Sequence, residues 1–342
     1  MKKALTLVIS IVAILTEACS PIRSTYSCLS PARMPVSNSY FQPLWSRTGI
    51  AVYPDPFNPL MQGIPSKVFV VTGQDFEYGG SKILALDTQS GKALWQRNVV
   101  LPASIITSNS QLYTTLYDKI EVIDSQTGEL VKEIAVPNVG TIYNIFATEH
   151  NLYADTKSGR WLTYNFNDET YSLSEPFLPY HPFLIESGVM YFVDAEAYKA
   201  KDIKTQSILW KNSVIDNVAA SPLFTDKNII LLTEMGSVYS FDKETGELLW
   251  KLNEDEHVIS NMIADKSYLY FLTNDGYLKV LDLGNGKEIA KLGFTPALFE
   301  LNSPPSVNII GAYDLWVDSE NDILVVSFGD SCQLISFKLQ VP

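Results

Sequence analysis

The stretch Val238-Tyr-Ser-Phe-Asp-Lys-Glu-Thr-Gly-Glu-Leu-Leu-Trp-Lys251 predicts a β-hairpin. Val238, Ser240 and Asp242 alternate with two aromatic side chains, and a period of two residues is typical of a strand. An Asp can accept hydrogen bonds from the backbone two residues further on, and Gly246 can adopt a positive φ without a Cβ clash. The turn is therefore predicted between Asp242 and Gly246, and the residues that follow form the returning strand.

The same pattern recurs along the chain at intervals of about 40 residues, with an anchor Asp, a Gly four positions later and a Trp eight positions later in the best copies. Strand-like runs precede the hairpin in each copy, for example at 219–225, 229–233, 259–264 and 268–273. A period near 40 with four short strands per unit is typical of a β-propeller. The seven anchor positions are Asp87, Asp124, Asn165, Asp202, Asp242, Asp282 and Lys338. The side chains assigned to the structural repeat, rather than to a site, are Asp87, Gly91, Trp95, Asp124, Gly128, Asp202, Trp210, Asp242, Gly246, Trp250, Asp282, Gly286 and Trp45.

The two ends of the repeat region predict how the propeller closes. The last copy has no outer strand, whereas the segment around Trp45 resembles an outer strand with no blade before it. We therefore expect an all-β fold of seven four-stranded blades over residues 44–342, in which the strand near Trp45 completes the last blade. Closure of this kind removes the open sheet edge. Eight blades are the alternative.

The N-terminus predicts export. A basic start is followed by an apolar run, Ala4 to Leu15, that is too short to span a bilayer comfortably. The small Ala18 before Cys19 resembles a bacterial lipobox, so residues 1–18 are interpreted as a signal peptide and Cys19 as a lipidated residue. Plain secretion and an uncleaved anchor are alternatives. Residues 19–43, with interleaved Pro and Ser, are predicted to tether the domain to the cell envelope, either to an outer membrane facing the periplasm or to the outer surface of a single membrane.

Two further cysteines, Cys28 and Cys332, form an even pair that an oxidising compartment would allow to cross-link. A disulfide between them would staple the predicted closure. The alternative is an exposed thiol in the tether and a buried cysteine in the last blade.

The repeat follows the pattern aliphatic-x-Asp-x-x-(Thr/Ser)-Gly-(Lys/Glu)-x-Leu-Trp. This pattern resembles the repeat of the PQQ-type (quinoprotein-like) β-propeller family. That family includes quinoprotein alcohol dehydrogenases and the propeller lipoprotein of the outer-membrane β-barrel assembly machinery, which has eight blades. The dehydrogenases bind PQQ beside an adjacent Cys-Cys pair, a Ca²⁺ site and a catalytic Asp. No Cys-Cys pair occurs in this sequence, so we expect no cofactor and consider PQQ unlikely.

Composition and motifs exclude several functions. A net charge of −13 disfavours a sequence-independent nucleic-acid binder, which needs basic surface. The three histidines lack zinc-hydrolase spacing, and neither a Gly-x-Ser-x-Gly motif nor a phosphate loop occurs. We therefore expect no catalytic residue and no metal ligand.

Acidic residues recur between the second and third strands of the copies. Propeller topology places these loops on one face, where a ring of acids would attract a basic partner or a divalent cation. The alternative is that Asp is common in turns and that the whole chain is acidic. The candidate binding face comprises Asp75, Phe76, Glu77, Tyr78, Asp118, Asp155, Glu196, Glu234, Asp275, Asp330 and, from an insertion at 297–307, Phe299.

The sequence thus favours a monomeric, non-enzymatic lipoprotein that binds an envelope protein or peptide, and the resemblance implies a scaffold in envelope protein assembly. The alternatives are a propeller enzyme, either an oxidoreductase or a lyase acting on sugars or small molecules, and a surface sugar-binding protein.

Overall fold

The computed structural model describes residues 38–50, 52, 60–75, 80–100, 104–148, 150–174, 184–193, 197–213, 222–233, 236–253, 258, 260–265, 267–273, 275–294, 313–328 and 332–340. Within these ranges, strands form seven antiparallel four-stranded sheets. Each sheet is one blade of a β-propeller, which confirms the predicted fold class. No helix among the described residues is long and apolar enough to cross a membrane.

Blades 1 to 3 follow one another along the chain, and each is built from four consecutive strands. Their strands are β2 (Met61–Ile64), β3 (Lys67–Asp75), β4 (Gly80–Asp87) and β5 (Ala93–Val99); β6 (Ile105–Ser108), β7 (Gln111–Leu116), β8 (Lys119–Asp124) and β9 (Leu130–Ala135); and β10 (Ile142–Ala147), β11 (Asn151–Thr156), β12 (Trp161–Asn165) and β13 (Tyr171–Leu173).

Blades 4 to 6 repeat the arrangement. Their strands are β14 (Leu184–Glu186), β15 (Val189–Val193), β16 (Tyr198–Asp202) and β17 (Ile208–Asn212); β18 (Leu223–Phe224), β19 (Asn228–Leu232), β20 (Ser237–Asp242) and β21 (Leu248–Asn253); and β22 (Ile263–Ala264), β23 (Tyr268–Leu272), β24 (Tyr277–Asp282) and β25 (Glu288–Gly293). The hairpin predicted from 238–251 is β20 and β21. The first strands of blades 5 and 6 have two residues each and are shorter than the predicted segments.

Blade 7 joins the two ends of the propeller sequence. It contains β26 (Tyr313–Asp318), β27 (Ile323–Phe328) and β28 (Gln333–Leu339), with β1 (Phe41–Thr48) as its outer strand. β1 pairs antiparallel with β28, from Phe41 opposite Leu339 to Thr48 opposite Gln333. The predicted closure is confirmed, although the strand begins three residues before the expected boundary at residue 44. Phe41 is fully buried among residues of blades 6 and 7, which explains the earlier start.

The apolar core lies between adjacent blades. The first strands of neighbouring blades contact one another, as β2 does with β6 and β26. The core cluster around Val68 of blade 1 includes Leu112 of blade 2 and Leu334 of blade 7. Each sheet therefore buries both faces against its neighbours, which it could not do alone.

The repeated Trp and Gly residues meet across blade junctions. In four junctions a Trp ring lies on the Gly of the next blade so closely that a Cβ on that Gly would come within 2.5 to 2.7 Å of a ring carbon. These pairs are Trp45 with Gly91, Trp95 with Gly128, Trp210 with Gly246, and Trp250 with Gly286. Each indole N–H also donates to a backbone carbonyl in the same turn of the next blade, over 2.7 to 3.2 Å.

A β-bulge aims each of these Trp side chains. In β5 the register shifts between Ala93 and Trp95, so Leu94 is the extra residue, and β1, β17 and β21 shift at the equivalent place. Leu94 is consequently left exposed on the outer strand while Trp95 points to the next blade. Bulges commonly re-aim a side chain in this way.

Among the described residues, three junctions lack the Trp–Gly contact. At the junction of blades 6 and 7, Ala290 stands at the Trp position and is buried in the core cluster that also contains Leu315 of blade 7. At the junction of blades 2 and 3, Lys132 stands at the Trp position and Glu169 at the Gly position, and their side chains form an ion pair at 2.6 Å. At the junction of blades 3 and 4 the corresponding residues are Leu173 and Gln206. The core cluster there has four buried residues, Tyr153 together with three from blade 4, and is the smallest of the clusters among the described residues.

The junction of blades 7 and 1 is held by buried carboxylates as well as by Trp45. Asp318 is 2% exposed and accepts hydrogen bonds from the Ser66 amide at 2.8 Å and the Thr88 hydroxyl at 3.3 Å. Asp314 accepts from the Leu60 amide at 2.9 Å. Blade 7 is therefore bonded to blade 1 from its outer strand through Trp45 and from its inner strand through Asp314 and Asp318.

We predict that Gly286→Ala destabilises the protein by about 2–4 kcal/mol, because the new Cβ meets the Trp250 ring and the backbone has φ +70°. The matched control is Gly49→Ala, where φ is +77° but no atom lies within 4 Å of the new Cβ. It should lose only the backbone contribution, about 1 kcal/mol. Urea unfolding measures both, and equal losses would contradict the importance of the Trp contact.

We also predict that the junction of blades 3 and 4 opens most readily. Amides of β13 and β14 should exchange with solvent faster than those of β27, which lies against the large cluster between blades 6 and 7. Native-state hydrogen exchange read by mass spectrometry tests this. Equal protection of the two regions would show that the size of the core at a junction does not set its local stability.

Candidate functional site

The anchor carboxylates of the repeat are engaged in their own turns. Asp242 Oδ1 accepts hydrogen bonds from the backbone N–H groups of Glu244 and Thr245, at 3.0 and 2.8 Å, and from the Thr245 hydroxyl at 3.0 Å. Asp87, Asp124, Asp202 and Asp282 accept equivalent bonds. Asn165 plays the same role in blade 3 through its amide oxygen. The turn therefore needs an oxygen acceptor at this position but not a charge.

These bonds alter the acidity of the turn carboxylates. Backbone N–H groups of the turn lower the pKa of Asp124, Asp202 and Asp242 below the usual value of 3.8, because they stabilise the ionised form. Within the described ranges no three His, Cys, Asp or Glu side chains are grouped so that they could hold a metal ion.

The candidate binding face is described only in part. Asp118, in the two-residue loop between β7 and β8, and Asp275, in the loop between β23 and β24, are exposed. Asp75 is the last residue of β3. The remaining predicted residues, Phe76, Glu77, Tyr78, Glu196, Glu234, Asp330 and Phe299, lie outside the described residues.

The prediction that Asp155 belongs to a loop was wrong. Asp155 lies inside β11, opposite Trp161 of β12, and the loop follows it. Its carboxylate accepts hydrogen bonds from the Asn144 backbone N–H at 2.5 Å and the Asn144 side-chain amide at 2.8 Å. Burial raises the pKa of Asp155, against the opposing effect of these bonds. It is a bound, largely buried group and not a member of an exposed acidic ring.

Sequence reasoning missed two exposed tyrosines on the face where the loops between second and third strands lie. Tyr117, beside Asp118, has an exposed fraction of 66%, and Tyr143, at the start of β10, one of 41%. The signal was available for Tyr117, because the equivalent loops of blades 3, 5 and 6 carry a Gly where this loop has none.

Of the three cysteines on which the sequence predictions rest, the structure describes Cys332. Cys332 is 3% exposed and disulfide-bonded, and its carbonyl accepts the Ile50 amide at 2.9 Å. Cys28 and Cys19 lie outside the described residues, so their pairing and lipidation stay predictions.

Comparisons with known proteins find a family resemblance over part of the chain and a shared fold over most of it. The family model for the outer membrane protein assembly factor BamB matches residues 173–312. The crystal structure of BamB from Moraxella catarrhalis is 15% identical, with a TM-score of 0.50 over 87% of this chain and 100% of that one. This chain resembles the PQQ-type propellers of the BamB kind. No curated protein sequence matches it significantly.

Other propellers share the fold without pointing to a common role. The computationally designed Ika8 protein is 13% identical, with a TM-score of 0.57 over 86% of this chain and 99% of its own. The β-propeller domain of Cps50 (Swd1) from Myceliophteria thermophila is 11% identical, with a TM-score of 0.60 over 88% of this chain and 100% of its own. At these identities the likeness establishes the β-propeller fold alone.

We predict that the variant Asp124→Asn/Asp202→Asn/Asp242→Asn loses less stability in acid than the native chain. Each lowered carboxylate pKa contributes stability that is present above 3.8 and lost as pH falls through the folded-state pKa. Asn keeps the acceptor but does not titrate. The free energy of unfolding, measured by denaturant between pH of about 6 and about 3, should fall less steeply in the variant.

The control variant Glu129→Gln/Glu247→Gln/Glu288→Gln has the same net charge and changes only exposed side chains that follow the repeat Gly. It should retain more of the native pH dependence than the Asn variant. An equal loss of pH dependence in both variants would assign the effect to overall charge.

Proposed function

We propose that this protein is a non-enzymatic, lipid-anchored scaffold of the cell envelope that binds another protein during envelope protein assembly. The observation that carries the proposal is the match of the BamB family model to 173–312, a range that includes blades 4 to 6. Two of the four Trp–Gly contacts lie in this range. The matched region thus contains two of the contacts that join neighbouring blades.

The chemistry of the repeats supports a binding role. The anchor carboxylates, which recur in every good copy, are bonded to the N–H groups of their own turns. The Trp rings are bonded across the blade junctions. Groups of this kind build a rigid ring, and the loops on its two faces are left to differ between copies. A partner would recognise those loops.

The proposed anchor assigns an orientation to the ring. Lipidation of Cys19 and a tether through residue 43 would deliver the chain to β1, the outer strand of blade 7. Because β1 is paired along its length with β28, tension on the tether would act on the strand pairing that completes blade 7. Absence of a strong retention signal at Ser20 favours the outer membrane where the cell has one.

We predict that Cys19→Ala releases the full chain from the membrane fraction, while Gly49→Ala leaves it there. Incorporation of labelled palmitate should be lost in the first variant and kept in the second. In the native host, cross-linking of the tagged full chain followed by mass spectrometry should enrich proteins that assemble envelope β-barrels.

Two outcomes would overturn the proposal. One is a wild-type chain that incorporates no labelled palmitate, stays out of the membrane fraction and enriches no envelope protein after cross-linking. The other is a clear rise in the thermal midpoint of the purified chain on addition of PQQ with Ca²⁺, which would favour an enzyme instead.

A further inference from the structure

Tyr117 is an aromatic residue in a backbone conformation that disfavours it. Its φ is +53°, and it carries the only aromatic ring among the described non-glycine residues with a positive φ. The equivalent loops of blades 3, 5 and 6 reach a positive φ at Gly159, Gly236 and Gly276. A bulky side chain in this region is a strained outlier. Strained backbone persists where the surroundings enforce it, often at binding sites.

A second unusual feature, a bulge in β10, exposes the side chain of Tyr143. The register between β10 and β11 shifts after Ile142, so Tyr143 and Asn144 together oppose the single residue Asp155. The bulge is fixed because the Asp155 carboxylate binds both N–H groups of Asn144. In the first strands of the other blades the described pairings show no such shift. A bulge held by the half-buried Asp155 carboxylate therefore leaves Tyr143 exposed.

The two tyrosines emerge at one place. The Tyr117 carbonyl accepts the amide of Ile142, the neighbour of Tyr143, at 2.7 Å. Asp118 follows Tyr117, and its exposed carboxylate adds negative charge to the same place. The neighbouring Lys119 is paired with Glu133 at 3.0 Å. Tyr117, Asp118 and Tyr143 are called the tyrosine patch below.

We propose that the tyrosine patch is a docking site for a positively charged, extended segment of a partner protein. The proposal rests on the scaffold function above and names the face and the partner chemistry. Charge complementarity selects the occupant, because the chain carries −13 overall and the patch adds an exposed carboxylate. Tyrosine faces also attract cations, as Lys251 over Tyr239 and Lys291 over Tyr277 do within this chain, each at 4.8 Å from the ring centre.

The test uses the detergent-solubilised full chain and a fluorescent synthetic peptide of alternating Ala and Arg, with an Ala–Glu peptide as the charge control. Anisotropy should show salt-dependent binding of the Arg peptide and none of the Glu peptide. Tyr117→Gly should weaken the Kd by about tenfold or more, and Asp118→Asn should also reduce the salt dependence. Tyr143→Ser should weaken binding as well.

Tyr117→Gly separates binding from folding. Because Gly accepts the positive φ, its thermal midpoint should equal or exceed that of the native chain while binding is lost. Matched controls are Tyr171→Ser, an exposed tyrosine on the outer strand β13, and Asp226→Asn, an exposed acid in the loop between β18 and β19. Both should keep the native Kd within about twofold.

Unchanged Arg-peptide binding in Tyr117→Gly, or equal binding of the Glu peptide, would overturn the docking site. Its failure is distinguishable from failure of the scaffold function. If Tyr117→Gly still enriches the native partners after cross-linking, the scaffold stands and the patch is wrong; if the native chain enriches none, the scaffold itself fails.

Discussion

The contact between a Trp in one blade and a Gly in the next is the interaction on which the ring depends. A blade can bury its two faces only against neighbours, and the angle between neighbours must be right for the ring to close. The Trp–Gly contact fixes that angle at three levels. The bulge before the Trp turns its side chain toward the next blade, and the missing Cβ of the Gly lets the indole ring approach the backbone. The indole N–H then donates a hydrogen bond to the turn that the anchor Asp stabilises. Each repeat residue therefore acts on the adjacent blade as much as on its own.

Closure adds a constraint that no internal junction has. Blade 7 is assembled from both ends of the propeller sequence, so the pairing of β1 with β28 must be specified without a hairpin between them. Asp318 supports this closure from the inner strand, because a carboxylate that is 2% exposed needs hydrogen-bond donors, and Ser66 and Thr88 of blade 1 supply two of them. Trp316 contributes from the inner strand, where it lies so close to Gly63 that any Cβ would collide with it. A wrong strand in this position would remove the two donors of blade 1 and leave the buried Asp318 carboxylate only the bonds from Asn321 of its own turn.

The fold was predictable because several copies of one pattern agree, so an ambiguous copy can be assigned from the others. The candidate site was not predictable, because its residues are those that depart from the repeat. The hairpin at 238–251 and the seventh blade completed near Trp45 follow from copies that agree. The ion pair of Lys132 with Glu169 could be found only after structural alignment, since neither residue matches the pattern. Asp155 was misplaced because the sequence around a carboxylate near a turn looks the same whether the residue lies in the loop or near the end of the preceding strand. Tyr117 was missed because its importance comes from φ, which composition does not reveal.

The positions of Tyr117 and of the bulge at Tyr143 can be explained by the packing around them. Strained or bulged segments persist only where the surrounding structure compensates for them. Tyr117 and the bulge at Tyr143 lie on one edge of the junction between blades 2 and 3, and the core there contains twelve buried residues. That large core replaces the missing Trp–Gly contact and holds the displaced backbone. The next junction, between blades 3 and 4, has only a small core, and its non-glycine residue with a positive φ, Gln206 at +62°, lies at the Gly position of the repeat turn. Among the described residues, the junction of blades 2 and 3 is thus the place where an aromatic residue with a positive φ and a bulge in a first strand occur together, and burial rather than the repeat contact stabilises it.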